Sequence, residues 1–164
     1  MGDSKQLIHT ILAHLESLLG LQPEEHPFLK VKNSQIPGGG EGLFAERDYK
    51  AGEVICEYTG TIYNTKQAIK LKDKSYLMRL GPQVYIDANQ HPSVVARYIN
   101  DCRNPAFTNV TFEKLPLQRK ALVRVIQPIS SGDEIFADYG KMYWLGKRPY
   151  ILFKKKNKVE EKKI

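Results

Sequence analysis

Between residues 28 and 136 the apolar stretches are short, and each is cut off by Gly, Pro, Asn or Asp: FLKVKN, GLFAE, EVICEYTGTIY, VYIDA, NVTFEKL, KALVRVI and DEIFA. Val, Ile, Tyr, Phe and Thr dominate them. Runs of this length and composition suit strands, not core helices. The texture therefore predicts a mostly β domain of short strands, with little α. In KAGEVI (50–55) and SSGDEI (130–135) a Gly supplies the positive φ of a tight turn. The chain has 164 residues, 41% hydrophobic and 26% charged. That is globular composition, and roughly two thirds of the unfolded surface of such a chain can be buried in one domain.

Helical periodicity is confined to two places. Leu7, Ile8, Ile11, Leu12, Leu15, Leu18 and Leu19 follow the three-four spacing of an amphipathic helix over residues 5–21, with Ser4 as cap and Gly20 as stop. Such a stripe packs on its own domain or forms a dimer contact, so monomer and homodimer both stay open. Residues 64–80, NTKQAIKLKDKSYLMRL, read as a helix inserted among strands. The expected organisation is an N-terminal helix at 1–22, a β domain at 28–146 and a basic tail at 147–164. Residues 154–164 carry six Lys against two Glu, +4 of the net +7. That tail is a solvated terminus or a weak electrostatic handle for nucleic acid. No aromatics interleave with its lysines, so base stacking is not expected. No run spans a membrane and no secretory signal is evident. Cys56 and Cys102 are the only cysteines, and neither sits in a metal-ligand cluster. No metal site is expected, and a reducing compartment is the default.

Three polar strings stand out. RYINDCRNP (97–105) packs Arg, Asn and Asp around one short apolar pair. Such groups need partners when buried, either backbone or a ligand. PGGGEGLFA (37–45) puts three glycines before a strand, but it lacks the Lys-Ser/Thr of a phosphate loop and the long helix of a dinucleotide site. GDEIFADYG (132–140) ends a buried-looking strand on a phenol.

Taken in order, these strings resemble the SET domain of protein lysine methyltransferases over residues 28–144. Gly40-Glu41-Gly42 matches the family's Gly-x-Gly, and Tyr58-Thr59-Gly60 its Tyr-x-Gly. Arg97-Tyr98-Ile99-Asn100 matches its Arg-Phe-x-Asn. Glu134-Ile135-Phe136-Ala137-Asp138-Tyr139 matches its Glu-Leu-x-x-Asp-Tyr. Two positions depart from the pattern: Asp101 stands at a family His and Ala106 at a family Asn. The resemblance implies short curved sheets with a C-terminal segment threaded through an earlier loop, a rare arrangement. It implies S-adenosylmethionine as cofactor, a histone tail as protein substrate and the nucleus as location; without it, the cytoplasm would be the default.

The resemblance also assigns residues. Tyr139 and Tyr76 would be catalytic. Gly40, Glu41, Gly42, Arg97, Asn100, Asp101 and Trp144 would hold the cofactor, with Trp144 stacked on adenine. Tyr85, Tyr98, Phe136, Ala137 and Tyr143 would line the substrate channel. Methyl transfer needs a neutral amine, and a free lysine titrates near ~10.4. An aromatic, dry channel disfavours the ammonium. Ala137 stands where the family often carries Phe or Tyr; either the pocket is roomier and proceeds past monomethylation, or a ring from Tyr76, Tyr85 or Tyr98 fills the gap. Two other classes compete: a non-catalytic SET-like binding module, favoured by Asp101 and Ala106, and a small basic nucleic-acid binder, which explains only the tail.

Overall fold

The computed structural model describes residues 26–145. The helix expected at 5–21 and the basic tail at 147–164 lie outside those residues. Among the described residues, no helix is long and apolar enough to cross a membrane.

Three small antiparallel sheets carry the fold. β1 (Leu29–Asn33) and β2 (Glu41–Ala45) form a hairpin, with Leu29 opposite Ala45 and Asn33 opposite Glu41. β3 (Val54–Tyr58), β8 (Lys120–Val125) and β7 (Val110–Leu115) form the second sheet, with β8 in the middle. β4 (Thr61–Tyr63), β6 (Val84–Asp87) and β5 (Leu77–Gly81) form the third, with β6 central. The reason is plainest in β8. Its side chains alternate between faces, so Ala121, Val123 and Val125 are buried while Lys120, Leu122 and Arg124 are less so. Leu43, Ile86, Ile99, Val110, Ile129 and Ile135 are fully buried as well. Each such aliphatic side chain contributes about 1.5–3 kcal/mol by leaving water.

Two turns read from the sequence take the expected backbone, with Gly52 at φ 95° and Gly132 at φ 90°. Gly60, in the Tyr-x-Gly string, meets a second requirement. A Cβ there would lie 2.2 Å from the Asp87 carbonyl oxygen, so only Gly lets β4 begin beside the end of β6.

The helix expected over 64–80 is corrected to α1 (Thr65–Lys70). It starts at a capping box: Asn64 Oδ1 accepts from Gln67 N at 3.0 Å, and Gln67 Oε1 accepts from Asn64 N at 2.9 Å. It stops because Asp73 turns the chain, accepting from both the amide and the hydroxyl of Ser75. Beyond that turn Leu77 and Met78 pair with Asp87 and Ile86 of β6. Sheet pairing overrides the helical preference of this stretch.

Residues 134–137 are held from three directions. Ile135 N donates to Leu43 O at 2.8 Å, and Ala137 N donates to Asn100 O at 3.0 Å. From the far side Phe136 N donates to Asn109 Oδ1 at 2.8 Å, while Val110 N donates to Phe136 O at 3.1 Å. The loop 100–109 thus grips this segment from both its ends, and the C-terminal part of the domain runs through it. The two thiols sit inside and unpaired. Burial, then the neighbouring Glu57, pushes Cys56 up to about 12, so it stays an inert thiol.

Candidate active site

Where the three sheets and the threaded segment meet, a cavity of about 1100 Å³ opens. Its wall begins with the turn between β1 and β2. Gly38 and Gly40 adopt φ +73° and +67°, and nothing stands within 4 Å of where a Cβ would project from either. The turn therefore presents bare backbone from Gly38 to Gly40 to the cavity, followed by Glu41. Gly42, expected beside them, is not in the wall. It backs the site instead: a Cβ on it would lie 2.2 Å from Glu134 Oε1.

The polar string 97–105 finds most of its partners in the protein itself. Arg97 lies in a 3₁₀ turn (Val95–Tyr98), where its Nη1 donates to the carbonyls of Ala88 and Asn89, both at 3.1 Å. Its guanidinium lies 3.9 Å from the centre of the Tyr76 ring and 5.4 Å from that of Tyr98. Arg97 Nε is buried with no partner. Asn100 Nδ2 donates to the Glu41 carbonyl at 2.8 Å, fixing the end of the Gly-rich turn. Asp101, 8% exposed, uses both carboxylate oxygens. Oδ1 accepts from Arg103 N at 2.7 Å; Oδ2 accepts from Tyr139 N at 3.0 Å and from Trp144 Nε1 at 2.7 Å.

The tyrosines converge. Tyr58, Tyr76, Tyr85, Tyr98, Tyr139 and Tyr143 all contribute to the cavity wall. Tyr58 donates its hydroxyl to the Tyr76 carbonyl at 2.6 Å, and Tyr139 donates its hydroxyl to the Ile99 carbonyl. Burial pushes Tyr139 well above the ordinary phenol range, and Tyr143, Tyr58, the Asp101 carboxylate and Tyr76 push it in the same direction. It is a neutral phenol at physiological pH. Tyr143 meets it edge to face at 4.7 Å between ring centres, and Trp144 lies near-parallel to it at 6.1 Å. Both come from α2 (Lys141–Trp144), the short turn that follows the threaded segment. Arg103 covers the Trp144 ring at 4.8 Å.

Two of the expected channel residues are elsewhere. Phe136 is buried against Ile36 and Cys102, and Ala137 is fully buried in the main core; neither lines the cavity. Replacing Ala137 by Phe would overpack that core at about 1–3 kcal/mol, so the variant does not test pocket volume cleanly. The sequence reading missed Tyr58 as a wall residue, although its Tyr-x-Gly string was visible. It also missed Glu134 as the buried support of the site and Arg79 and Lys114 as cavity residues.

Asp101→Ala should release Trp144. Since Trp144 is the single tryptophan of the chain, its emission should shift to the red and quench more readily with acrylamide, with far-ultraviolet circular dichroism unchanged. An unshifted spectrum would mean that the carboxylate does not hold the indole.

A small-sheet β domain that threads its own C-terminal segment and sets tyrosines over a bare glycine turn has the architecture of a SET-type domain. The SET domain family model matches residues 40–140, and the chain belongs to the SET-domain family. It is 32% identical over 108 residues to a histone-lysine N-methyltransferase, H3 lysine-4 specific, of Cryptococcus neoformans, covering 61% of this chain and 7% of that protein. It is 30% identical over 108 residues to human histone-lysine N-methyltransferase 2B, covering 61% and 4%. Among solved structures it resembles a chain of an active polycomb repressive complex 2 in the basal state, with TM-score 0.57, 28% identity, and 68% and 15% coverage. The chain thus spans a small part of the length of these relatives.

Proposed function

We propose that this chain is an S-adenosylmethionine-dependent protein-lysine N-methyltransferase that acts on a histone-tail lysine in the nucleus. The observation that carries the reading is one cavity with two kinds of lining. Tyrosines line it together with bare glycine backbone, Asn100, Asp101 and Trp144. The latter group suits the cofactor. Gly38 to Gly40 leave room for close approach, and Asn100 and Asp101 hold the surrounding backbone in place. Trp144 offers an aromatic surface beside them. When bound, the cofactor supplies an electrophilic methyl group on sulfur.

The chain's own contribution is placement and desolvation. Tyr58, Tyr76, Tyr139 and Tyr143 surround the position of the incoming amine with rings that exclude water and disfavour the ammonium. Their phenol oxygens present dipoles toward the positive charge of the reacting centre. Arg97, stacked on Tyr76 and bonded to two carbonyls, is a positioning residue for that ring. Aligning amine and methyl group in a closed site then lowers the barrier through orientation.

The departures from the family pattern are compatible with catalysis. The Asp101 carboxylate is occupied with the backbone of the active-site tyrosine and with Trp144. Ala106 is exposed in the loop 100–109, where its amide is taken up by Asn104 Oδ1 at 3.1 Å.

Incubating the full chain with S-adenosylmethionine and a panel of histones, then measuring lysine mass by spectrometry, should show added methyl groups. Calorimetric cofactor binding with no modified lysine on any histone would favour the binding module. Salt-sensitive DNA binding without cofactor would favour the nucleic-acid reading.

A further inference from the structure

Part of the cavity wall is made by β5 and β7, and the end of β5 packs on the residue that follows β7: a Cβ on Gly81 would stand 3.1 Å from the Pro116 side chain. Along β7, Val110, Phe112 and Lys114 share one face. Val110 is fully buried, Phe112 meets Tyr58 edge to face at 5.6 Å, and Lys114 follows. On β5, Arg79 sits opposite Tyr85 of β6, and both reach the cavity. Two cations therefore stand on the same wall as the tyrosines. Burial, and after it Arg79, holds the Lys114 ammonium below the usual lysine range.

Of the carboxylates in the cavity wall, Asp101 accepts from Arg103, Tyr139 and Trp144 and Asp138 accepts from Gly140 N, while Glu41 lines the wall beside the glycine turn. Glu113 lies on the opposite face of β7 and pairs with Arg124 at 2.6 Å. Asp73 accepts from Ser75 and Asn89. Among the described residues, neither Arg79 nor Lys114 belongs to an ion pair. Both residues are exposed, and a pair of like charges gains from an anion placed between them and repels a further cation.

We infer that Arg79 and Lys114 form an anion-reading subsite that selects substrate lysines with a carboxylate or phosphate on a nearby residue. This rests on the methyltransferase reading and narrows it, because a purely basic stretch of a histone tail has no group to offer these cations. The register follows from β7 itself. Lys114 is two residues beyond Phe112, or about 7 Å along the strand. An extended substrate covers that distance in about two residues, so the anion lies within two residues of the target lysine.

The test uses one histone-derived peptide with Gln, Lys, Glu or phosphoserine two residues to either side of its lysine. Both methyl transfer and fluorescence-anisotropy binding in the presence of S-adenosylmethionine are measured on the full chain. The Glu or phosphoserine peptide should exceed the Lys peptide by roughly tenfold in both, falling with added salt. A larger gain from phosphoserine than from Glu would identify phosphate as the preferred anion, and the reverse would identify carboxylate. Lys114→Glu should reverse the preference, and the milder Lys114→Gln and Arg79→Gln should each flatten it. Turnover indifferent to the flanking charge overturns the subsite while leaving the methyltransferase reading intact. Anion-selective binding that is lost in the variants, without any turnover, supports the subsite and overturns catalysis.

Discussion

Tyr139→Phe should lower turnover roughly 10²–10³-fold while affinity for S-adenosylmethionine and the fold stay near those of the native chain. The substitution removes one oxygen and keeps the ring, so the contacts with Tyr143 and Trp144 survive. Its structural cost is the hydrogen bond to the Ile99 carbonyl, about 1 kcal/mol. The catalytic cost is larger because a fixed dipole in a dry site acts where charge changes during reaction. The phenol is pushed above its ordinary range, so it serves as a neutral dipole and not as a base near neutral pH. The same shift has a signature in stability. Burial favours the protonated phenol in the folded chain, so its contribution is present below the ordinary tyrosine pKa of ~10. It is lost as pH rises from there through the folded value. Tyr139→Phe should therefore unfold less steeply with alkali than the native chain. Near-normal turnover in the variant would remove Tyr139 from the mechanism.

What the sequence made legible depended on distance along the chain. Strand texture survived because period-two burial is written locally, as in β8. The polar strings survived because chemistry is concentrated in them. Their partners were not legible. Asp101 reaches Tyr139 and Trp144, 38 and 43 residues on, and Ser34 meets Glu134 across 100 residues. No periodicity encodes such pairings. Residues 71–80 misled because a charged, mixed stretch satisfies a helical spacing until β6 offers it a sheet edge. Phe136 and Ala137 misled for a different reason. Alternation sends Ile135 and Ala137 to the main core and Phe136 to the small cluster with Ile36 and Cys102. The chain reaches the cavity only where it turns, as Asp138 takes up the amide of Gly140. Proximity to Tyr139 in sequence was not proximity to the site.

Gly42 and Glu134 lie 92 positions apart, yet they should behave as a single unit in a double-mutant cycle. Glu134 is 3% exposed and accepts from Ser34 Oγ at 2.6 Å and from Gln35 N at 2.7 Å, with Asn100 Nδ2 at 3.5 Å. It ties the threaded segment to the strand end before the glycine turn and to the polar string at once. Glu134→Ala leaves two part-buried donors without an acceptor and should cost about 2–4 kcal/mol. Gly42→Ala fails for the complementary reason, since its methyl would sit 2.2 Å from the Glu134 oxygen. Pushing that carboxylate aside should cost about 1–3 kcal/mol. In the double variant the carboxylate is gone, and the new methyl enters the space it vacated. The remaining close neighbour is the Ser34 Cα at 3.3 Å, which a small shift accommodates. The combined loss in urea denaturation should then fall short of the sum by about 1 kcal/mol or more. Cofactor affinity should drop in all three variants, because Asn100 and the glycine turn lean on the same carboxylate. Strict additivity of the two stability losses would mean that the glycine is required by something other than Glu134.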